Sequence, residues 1–402
     1  MVKAAILGYG TVGSGVAEVL SCNQELIAKR AGNPIEVKYI LDLRNFPGDP
    51  NETKVVHDIE VILQDPEISI VCETMGGNEP AYTFSKRALE AGKSVCTSNK
   101  ELVANHGAEL LRLARENRCN YFFEASVGGG IPIIRPINDC LTAERIVEVS
   151  GILNGTTNYM LTKMSREGLN YDDVLKEAQA KGYAELHPEA DVEGYDACRK
   201  IAILTSLVAG KTVDFHKIHT EGISGIDPTD FAYAKKLDAT IKLLAVSRET
   251  EDGYQISVAP YLLKKENALA GVNDVFNAVA VCGNTLGDTM FYGRGAGKLP
   301  TASAVVADVV ECARHLQKTV GCLWEEGEAK VADFDSQEGR FFVRVLKKAR
   351  ADVEKVFGAV VPVVLDSALE EFAFVTESMQ EAEFEKCREQ IFGFVKKIRI
   401  KD

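Results

Sequence analysis

Several features are missing from this 402-residue chain, and each absence excludes a class of protein. No uninterrupted apolar run approaches the ~18 residues that a membrane-spanning helix needs, and the first residues lack the charged and apolar regions of a secretory signal. The ten cysteines form no CxxC pair and the six histidines no HExxH arrangement, which argues against a transition-metal site. Positive charge is also scarce: 46 basic residues against 59 acidic ones give a net charge of −13, which argues against binding to nucleic acid or an anionic membrane.

The composition that remains is typical of a folded globular protein, with 46% hydrophobic and 26% charged residues. A chain of this length predicts two or three domains, because a single hydrophobic core stops growing beyond ~250–300 residues. The scattered cysteines predict reduced, mostly buried thiols, and therefore a cytoplasmic protein.

Short apolar runs and helical stretches alternate in the first third of the chain. The predicted strands are residues 3–7, 36–43, 68–72, 94–97 and 121–124, and the predicted helices are residues 11–20, 79–91 and 101–117. Strands separated by helices of this length imply right-handed crossovers and a parallel, doubly wound sheet.

The pattern changes after about residue 145, which predicts a second, α+β domain. Its predicted strands are residues 147–153, 256–263 and 277–281, and its predicted helices are residues 157–167, 171–181 and 196–209. An apolar helix at 302–316 follows the glycine-rich turn 293–297, and we expect it to pack back on the first domain. The tail has strands at 340–346, 360–365, 371–376 and 395–400 and helices at 351–357 and 381–392, the βαββαβ order of a ferredoxin-like fold.

A dinucleotide-binding pattern lies at the first strand-to-helix junction. Gly8, Gly10 and Gly13 have the GxGxxG spacing, with Thr11 and Val12 at the start of the helix. The first glycine allows a tight turn, the second lets the backbone approach a pyrophosphate, and the third allows close packing of helix on strand. The helix N-terminus supplies free N–H groups and positive dipole to the phosphates. The sequence therefore predicts a Rossmann-type domain that binds NAD or NADP.

The end of the second strand carries two residues that point to different cofactors. An acidic residue at the position of Asp42 binds the ribose hydroxyls of NAD, whereas an arginine such as Arg44 accommodates the 2′-phosphate of NADP. Asp42 is nearer the strand terminus, which favours NAD, although a solvated turn carboxylate would fit the same position.

Six stretches of the sequence, in order, resemble homoserine dehydrogenases: GYGTVGSGV, TSNKELVA, FEASVGGGIPIIRP, GILNGTTNYML, GYAELHPEADVEGYDACRK and GRGAGKLPTASAVVAD. The resemblance implies reversible, NAD(P)-dependent hydride transfer between L-homoserine and L-aspartate 4-semialdehyde in the biosynthesis of threonine and methionine. It also implies a homo-oligomer, a dimer or tetramer built on the central domain. With the patterns above, it divides the chain into a dinucleotide-binding domain (1–136, completed by 298–322), a substrate-binding and dimerisation domain (137–297), a linker (323–338) and a tail domain (339–402).

Two lysines are the candidate catalytic groups. Asp196 and Lys200 are four residues apart on a predicted helix, so they share one face, and the apolar residues that follow suggest a partly desolvated site. An exposed ion pair would have the same spacing. By resemblance, Lys200 stabilises or protonates the carbonyl oxygen, Asp196 positions the lysine and the substrate, and Lys100, at the end of the fourth strand, lies between nicotinamide and substrate.

The resemblance also assigns binding roles elsewhere. It implies that Glu185 and Asp191 bind the substrate's amino group and that the GILNGT segment, with Asn154, Gly155 and Thr156, lines the substrate pocket. Thr74 and Gly295 are expected to contact the cofactor. A sodium-type site is implied at Glu124 and the carbonyls of Val127, Gly129 and Ile131, since hard cations prefer oxygen ligands; a hinge that binds no ion is the alternative.

The tail resembles an ACT domain in its second half only. The Asp-x-Pro-Gly turn expected after the opening strand is replaced by LKKARADVEKVFG, so we expect a shortened, atypical module that serves in oligomer contacts and responds weakly or not at all to threonine. Two rival functions remain, a non-catalytic NAD(P)-dependent sensor and a related two-domain oxidoreductase with another substrate.

Overall fold

A computed structural model of the protein describes residues 1–366 and 370–401. Its strands are β1 (Val2–Leu7), β2 (Ile35–Leu41), β3 (Val55–Val56), β4 (Ile68–Glu73), β5 (Ser94–Thr97), β6 (Tyr121–Phe122), β7 (Ile146–Ile152), β8 (Lys211–Thr212), β9 (His219–Thr220), β10 (Ala239–Thr250), β11 (Gly253–Lys264), β12 (Phe276–Gly283), β13 (Gly287–Arg294), β14 (Glu325–Glu328), β15 (Glu338–Leu346), β16 (Glu371–Val375), β17 (Met379–Gln380) and β18 (Phe394–Lys401).

The α-helices of the described residues are α1 (Thr11–Cys22), α2 (Gln24–Ala31), α3 (Ile59–Leu63), α4 (Ala81–Glu90), α5 (Lys100–Glu116), α6 (Gly155–Glu167), α7 (Tyr171–Ala180), α8 (Glu189–Val192), α9 (Tyr195–Ala209), α10 (Pro228–Lys236), α11 (Lys298–Arg314), α12 (Arg350–Phe357) and α13 (Glu381–Arg388). None of them combines the length and the apolar composition that crossing a membrane requires.

The chain forms two compact units. The first contains Met1–Arg145, Ala202–Phe215 and Phe291–Ala329, and the second contains Ile146–Ile201, His216–Met290 and Lys330–Asp402.

The first unit is built on a six-stranded parallel sheet with the order β3-β2-β1-β4-β5-β6. This is the strand order of a Rossmann fold, and it brings the carboxyl ends of β1 and β4 together at the point where the order reverses. The predicted strands and helices of this region are confirmed. The fifth predicted strand is shorter than expected, because Glu124 begins a 3-10 turn instead of continuing β6.

The apolar helix α11 completes this unit, as the sequence predicted. Its buried face, which includes Ala302 and Val305, belongs to the same core cluster as Val16 of α1. A Cβ at Gly15 would lie 3.0 Å from the Cβ of Ala302, so the absence of a side chain there lets the two helices approach closely. Residues 325–328, within the predicted linker, form β14, which pairs with β8.

The second unit contains one ten-stranded mixed sheet within the described residues. Its main path is β13-β12-β7-β10-β11-β18-β15-β16, and β9 and β17 pair with β11 and β15 at its sides. The strands predicted at 147–153, 256–263 and 277–281 are present as β7, β11 and β12. The sequence reasoning did not predict β10, which forms a long hairpin with β11, or β13 at the edge of the sheet.

The tail has the predicted ferredoxin-like order. Its strands lie in the order β18-β15-β16, and Val363 forms a single antiparallel bridge to Ala373 of β16 where a longer strand had been predicted at 360–365. The tail has its own aromatic core, with Phe341, Phe374 and Phe384. Its last strand nevertheless pairs in parallel with β11, so the tail sheet continues the sheet of the rest of the unit. Together, the two units confirm the predicted fold class.

Candidate active site

The glycine loop after β1 has the geometry that a dinucleotide site requires. Gly8 has φ +86°, and a Cβ at Gly13 would lie 1.9 Å from the Gly8 carbonyl oxygen, so neither position tolerates a side chain. A Cβ at Gly10, by contrast, would meet nothing within 4 Å. The space beside Gly10, at the N-terminus of α1, is where a pyrophosphate would approach the backbone, so these residues fit a dinucleotide.

A neighbouring side chain stabilises this glycine loop through a hydrogen bond. The Thr74 hydroxyl donates to the carbonyl oxygen of Gly8 at 2.8 Å, so this predicted cofactor residue supports the loop through its side chain. Thr11 is the first residue of α1, and Val12 is half-buried against the core of the unit.

Asp42 and Arg44 lie together at the end of β2. The Asp42 carboxylate accepts hydrogen bonds from the backbone N–H of Tyr9, at 2.8 Å, and from both the backbone and the guanidinium of Arg44. The Arg44 guanidinium holds the pKa of Asp42 well below its usual range. The two residues that predicted different cofactors therefore form one ion pair, attached through Tyr9 to the glycine loop.

Lys100 is the first residue of α5 and is half-buried, directly after the loop that follows β5. The helix start is capped by Asn99, whose side-chain oxygen accepts from the backbone N–H groups of Glu101 and Leu102 at 3.1 Å each. Sequence reasoning missed a carboxylate near this position: Glu73, the last residue of β4, is fully buried. Its only signal in the sequence is an acidic residue at the end of the apolar run ISIVC.

The predicted cation loop and the glycine turn before α11 contact each other. The backbone N–H of Gly130 donates to the Arg294 carbonyl at 3.1 Å, and a Cβ at Gly129 would lie 2.3 Å from the carbonyl oxygen of Gly295. The carboxylate of Glu124, which was predicted as a cation ligand, accepts from the backbone N–H groups of three consecutive residues at 2.6–2.9 Å, namely Ile133, Ile134 and Arg135. No group of three or more metal-binding side chains occurs in the described part of the chain.

In the second unit, the structure brings four predicted residues into one hydrogen-bonded cluster. The ammonium group of Lys200 donates to the carboxylate of Asp196 at 2.7 Å and to the Leu153 carbonyl at 2.8 Å. The side-chain amide of Asn154 donates to Asp196 at 2.9 Å and to Asp191 at 2.7 Å. Lys200 is 8% exposed and Asp196 4%, so their pair is a buried one rather than an exposed one.

The local sequence explains why Asn154 can hold this position. Asn154 is the N-cap of α6, and its side-chain oxygen accepts from the backbone N–H of Thr157 at 2.9 Å, which leaves the amide hydrogens for the two carboxylates. Gly155 begins the helix close to the Val275 carbonyl, and the Thr156 hydroxyl donates to the carbonyl of Tyr183 at 2.6 Å.

Glu185 is not part of the cluster. It lies exposed in the loop after α7, where its backbone carbonyl accepts from the side-chain amide of Gln179 at 3.0 Å.

Comparison with known proteins shows which family this chain belongs to. Residues 8–124 match the family model of the NAD-binding domain of homoserine dehydrogenase, and residues 132–310 match the model of homoserine dehydrogenase itself. The homoserine dehydrogenase of Pseudomonas aeruginosa is 46% identical over 316 residues, which cover 78% of this chain and 73% of that protein. The chain belongs to the homoserine dehydrogenase family. The homoserine dehydrogenase of Bacillus subtilis is 37% identical over 95% of this chain and 93% of its own.

Solved homoserine dehydrogenase structures agree with this assignment. The homoserine dehydrogenase of Thiobacillus denitrificans superposes with a TM-score of 0.91 at 34% identity, covering 100% of this chain and 98% of its own. A hyperthermophilic archaeal homoserine dehydrogenase in complex with NADPH has a TM-score of 0.67 at 29% identity, over 77% of this chain and 97% of its own. The chain is thus an oxidoreductase with a nicotinamide cofactor and a small-molecule substrate, and neither rival function is favoured.

Proposed function

We propose that the cluster of Lys200, Asp196, Asn154 and Asp191 is the substrate site at which L-homoserine and L-aspartate 4-semialdehyde are interconverted. The observation that carries the proposal is a lysine whose ammonium is fixed by a buried carboxylate and a backbone carbonyl. An ammonium group has three protons, and two are directed at Asp196 and Leu153. The third can be donated to a substrate oxygen.

The chemistry of the reaction needs a proton at this place. A bound nicotinamide supplies or takes up the hydride at the substrate carbon. In the direction of aldehyde reduction, negative charge develops on the carbonyl oxygen, and an ammonium held beside it lowers the barrier and delivers the proton. In the reverse direction, the same nitrogen accepts the hydroxyl proton of homoserine. Asp196 keeps the lysine in position, and Lys100 remains a second candidate catalytic lysine, in the first unit.

Asp191 is our candidate for binding the substrate's ammonium group. Its carboxylate is half-buried, and the amide of Asn154 holds it beside Asp196. A cationic amine needs such a fixed acceptor, because a hydrogen bond between charged partners is about twice as strong as a neutral one. Glu185 would have to join the site from its exposed loop when substrate binds.

For the cofactor, we propose that Gly8, Gly10 and Gly13 hold the pyrophosphate and that Gly295 borders the same site. Asp42 favours the ribose hydroxyls of NAD, but Arg44 neutralises its charge and offers a cation to a 2′-phosphate. We therefore expect a preference for NAD that is modest rather than absolute.

A monovalent cation would bind this chain chiefly through backbone oxygens. The Glu124 carboxylate accepts from three N–H donors, so most of its lone pairs are already engaged in this conformation. The carbonyls of Val127, Gly129 and Ile131 accept no hydrogen bond within the described residues, and these would be the ligands of a sodium ion.

We retain the proposed division into a dinucleotide-binding domain, a substrate-binding and dimerisation domain, a linker and a tail. A dimer or tetramer remains part of the proposal, as does a cytoplasmic location, which the free thiols of all ten cysteines favour.

The proposal is tested by initial rates of NAD and NADP reduction with L-homoserine, for the wild type and the variant Lys200→Ala. We expect the variant to lose at least 100-fold in kcat, a typical contribution of a positioned acid or base. Lys163→Ala is a matched control, because Lys163 also forms an i,i+4 ion pair, with Glu167, on a neighbouring helix. Nucleotide binding without turnover by the wild type would contradict the proposed reaction.

A further inference from the structure

The fully buried carboxylate of Glu73 has no role in the mechanism above. It lies at the carboxyl end of β4, between β1 and β5, where it pairs with Leu7 on one side and Thr97 on the other. Burying a carboxylate is costly unless hydrogen bonds compensate for the lost water, so the position of Glu73 inside the sheet calls for an explanation.

The two oxygens of Glu73 contact the loop after β4 and the last residue of β5. One accepts from the backbone N–H of Met75, in the loop after β4, at 2.7 Å, and the other accepts from the hydroxyl of Thr97, at the end of β5, at 2.5 Å. The Thr97 oxygen in turn accepts from the backbone N–H of Asn99 at 2.9 Å, and the Asn99 amide donates back to the Gly77 carbonyl at 2.7 Å. Together with the backbone from Met75 to Gly77, these hydrogen bonds close a ring.

The ring joins the parts of the chain that form the proposed cofactor site. Residue 74, next to Glu73, supports the carbonyl of Gly8 through its hydroxyl, and Asn99 caps the helix that begins with Lys100. Space for a ligand is open beside this ring, since a Cβ at Gly76 or Gly77 would meet nothing within 4 Å.

From this geometry we infer that Glu73 is a positioning residue, whose carboxylate fixes the loops after β4 and β5 in the conformation that accepts the nicotinamide half of the cofactor. The inference rests on the cofactor site proposed above. Glu73 touches neither cofactor nor substrate, and it acts through Met75, Thr97 and Asn99.

The surroundings of Glu73 make its charge sensitive to pH near neutrality. Burial raises the pKa of Glu73 to about 7, against the lowering effect of its hydrogen bonds to Thr97 and Met75. The neighbouring residues Leu7 of β1 and Thr97 of β5 are uncharged. The titratable group from β6 is Tyr121, whose buried hydroxyl has no hydrogen-bond partner among the described residues. Burial raises the pKa of Tyr121 well above its ordinary value, and the nearby charge of Glu73 raises it further. Tyr121 therefore stays neutral when Glu73 titrates.

The test measures cofactor affinity rather than turnover. Dissociation constants of NADH and NADPH are determined by their fluorescence at pH 6 and pH 8 for the wild type, Glu73→Gln and Thr97→Val, with thermal unfolding of each protein. Glu73→Gln keeps the shape and removes the charge, and Thr97→Val removes the hydroxyl from the other end. Ser85→Ala is the matched control, because Ser85 is a fully buried hydroxyl in the same unit that has no partner among the described residues.

We expect the wild type to bind NADH several-fold more tightly at pH 8 than at pH 6, because only the ionised carboxylate accepts from both Met75 and Thr97. Glu73→Gln and Thr97→Val should each bind about tenfold more weakly at pH 8, with little pH dependence, and the double variant should be no weaker than either. Folded variants that bind within twofold of the wild type at both pH values would overturn the inference while leaving the cofactor site intact. If Glu73→Gln does not fold, Thr97→Val decides by the same criterion, whereas a wild type that binds neither nucleotide would refute the proposed function itself.

Discussion

Asn154 allows the most direct test of how the active site is assembled, because its side chain has two separable functions. The oxygen caps α6, and the amide holds Asp191 and Asp196 together. The substitution Asn154→Ser keeps a good N-cap, since serine caps helices about as well as asparagine. It removes the amide, and one short hydroxyl cannot donate to both carboxylates.

The size of the effect follows from the two hydrogen bonds. A hydrogen bond to a charged group contributes ~1.5–3 kcal/mol, and both bonds end on carboxylates. We expect about 3 kcal/mol of transition-state stabilisation to be lost, since one contact is fully removed and the other weakened, which corresponds to roughly 150-fold in kcat/KM. The change in unfolding free energy should stay below about 1 kcal/mol, because the cap is retained.

The assay combines initial rates with L-homoserine and a thermal melt followed by circular dichroism. Asn170→Ser is the matched control: Asn170 caps α7 in the same way, and its amide donates to a carboxylate of its own helix, Asp173, at 2.7 Å. This control should keep wild-type kinetics. A kcat/KM of Asn154→Ser within threefold of the wild type would refute the reasoning, and a loss of activity that only parallels a loss of stability would assign Asn154 to the fold alone.

Two further predictions concern charged groups. Arg44→Ala should lower kcat/KM with NADP about tenfold relative to kcat/KM with NAD, because the Asp42 carboxylate is then no longer neutralised beside the 2′-phosphate. The exposed variant Arg350→Ala is the control. An unchanged ratio of the two kcat/KM values in Arg44→Ala would contradict this prediction. Lys242 is fully buried and donates to three neutral acceptors, and burial lowers its pKa to about 8. Between pH 8 and the pKa of an unfolded lysine the unfolded state binds more protons, so the free energy of unfolding of the wild type should rise with pH by up to roughly 3 kcal/mol relative to Lys242→Met. Denaturant titrations of both proteins at pH 7.5 and pH 10 measure this change in the free energy of unfolding. An equal change in the two proteins would contradict the burial of a charge.

The parts of the structure that sequence reasoning predicted are those encoded over short distances. The glycine spacing and the alternation of strands and helices predict a doubly wound sheet, because each element carries its own periodicity. The spacing of Asp196 and Lys200 predicts one helix face, and the structure has that face buried.

Contacts between distant segments could not be predicted in the same way. Asn154 and Asp196 are 42 residues apart, and nothing in either segment encodes the hydrogen bond between them. Glu124 shows the same limit, since an acidic residue before a glycine-rich turn looks alike whether it binds a cation or caps three N–H groups. The role of Glu73 could not be predicted for the same reason, because a carboxylate at a strand end is usually solvated.

The pairing of β18 with β11 has a consequence for how the tail can be lost or exchanged. The ladder joins Tyr261–Leu263 to Arg399–Lys401, so the last residues of the chain cover the backbone of a strand from its middle. Removing the tail would turn this part of β11, beyond its short pairing with β9, into an edge with unpaired N–H and C=O groups that invite another chain to pair. The C-terminal strand therefore shields the edge of β11 from pairing with other chains. A chain truncated before residue 330 would be prone to self-association even where its substrate cluster is intact.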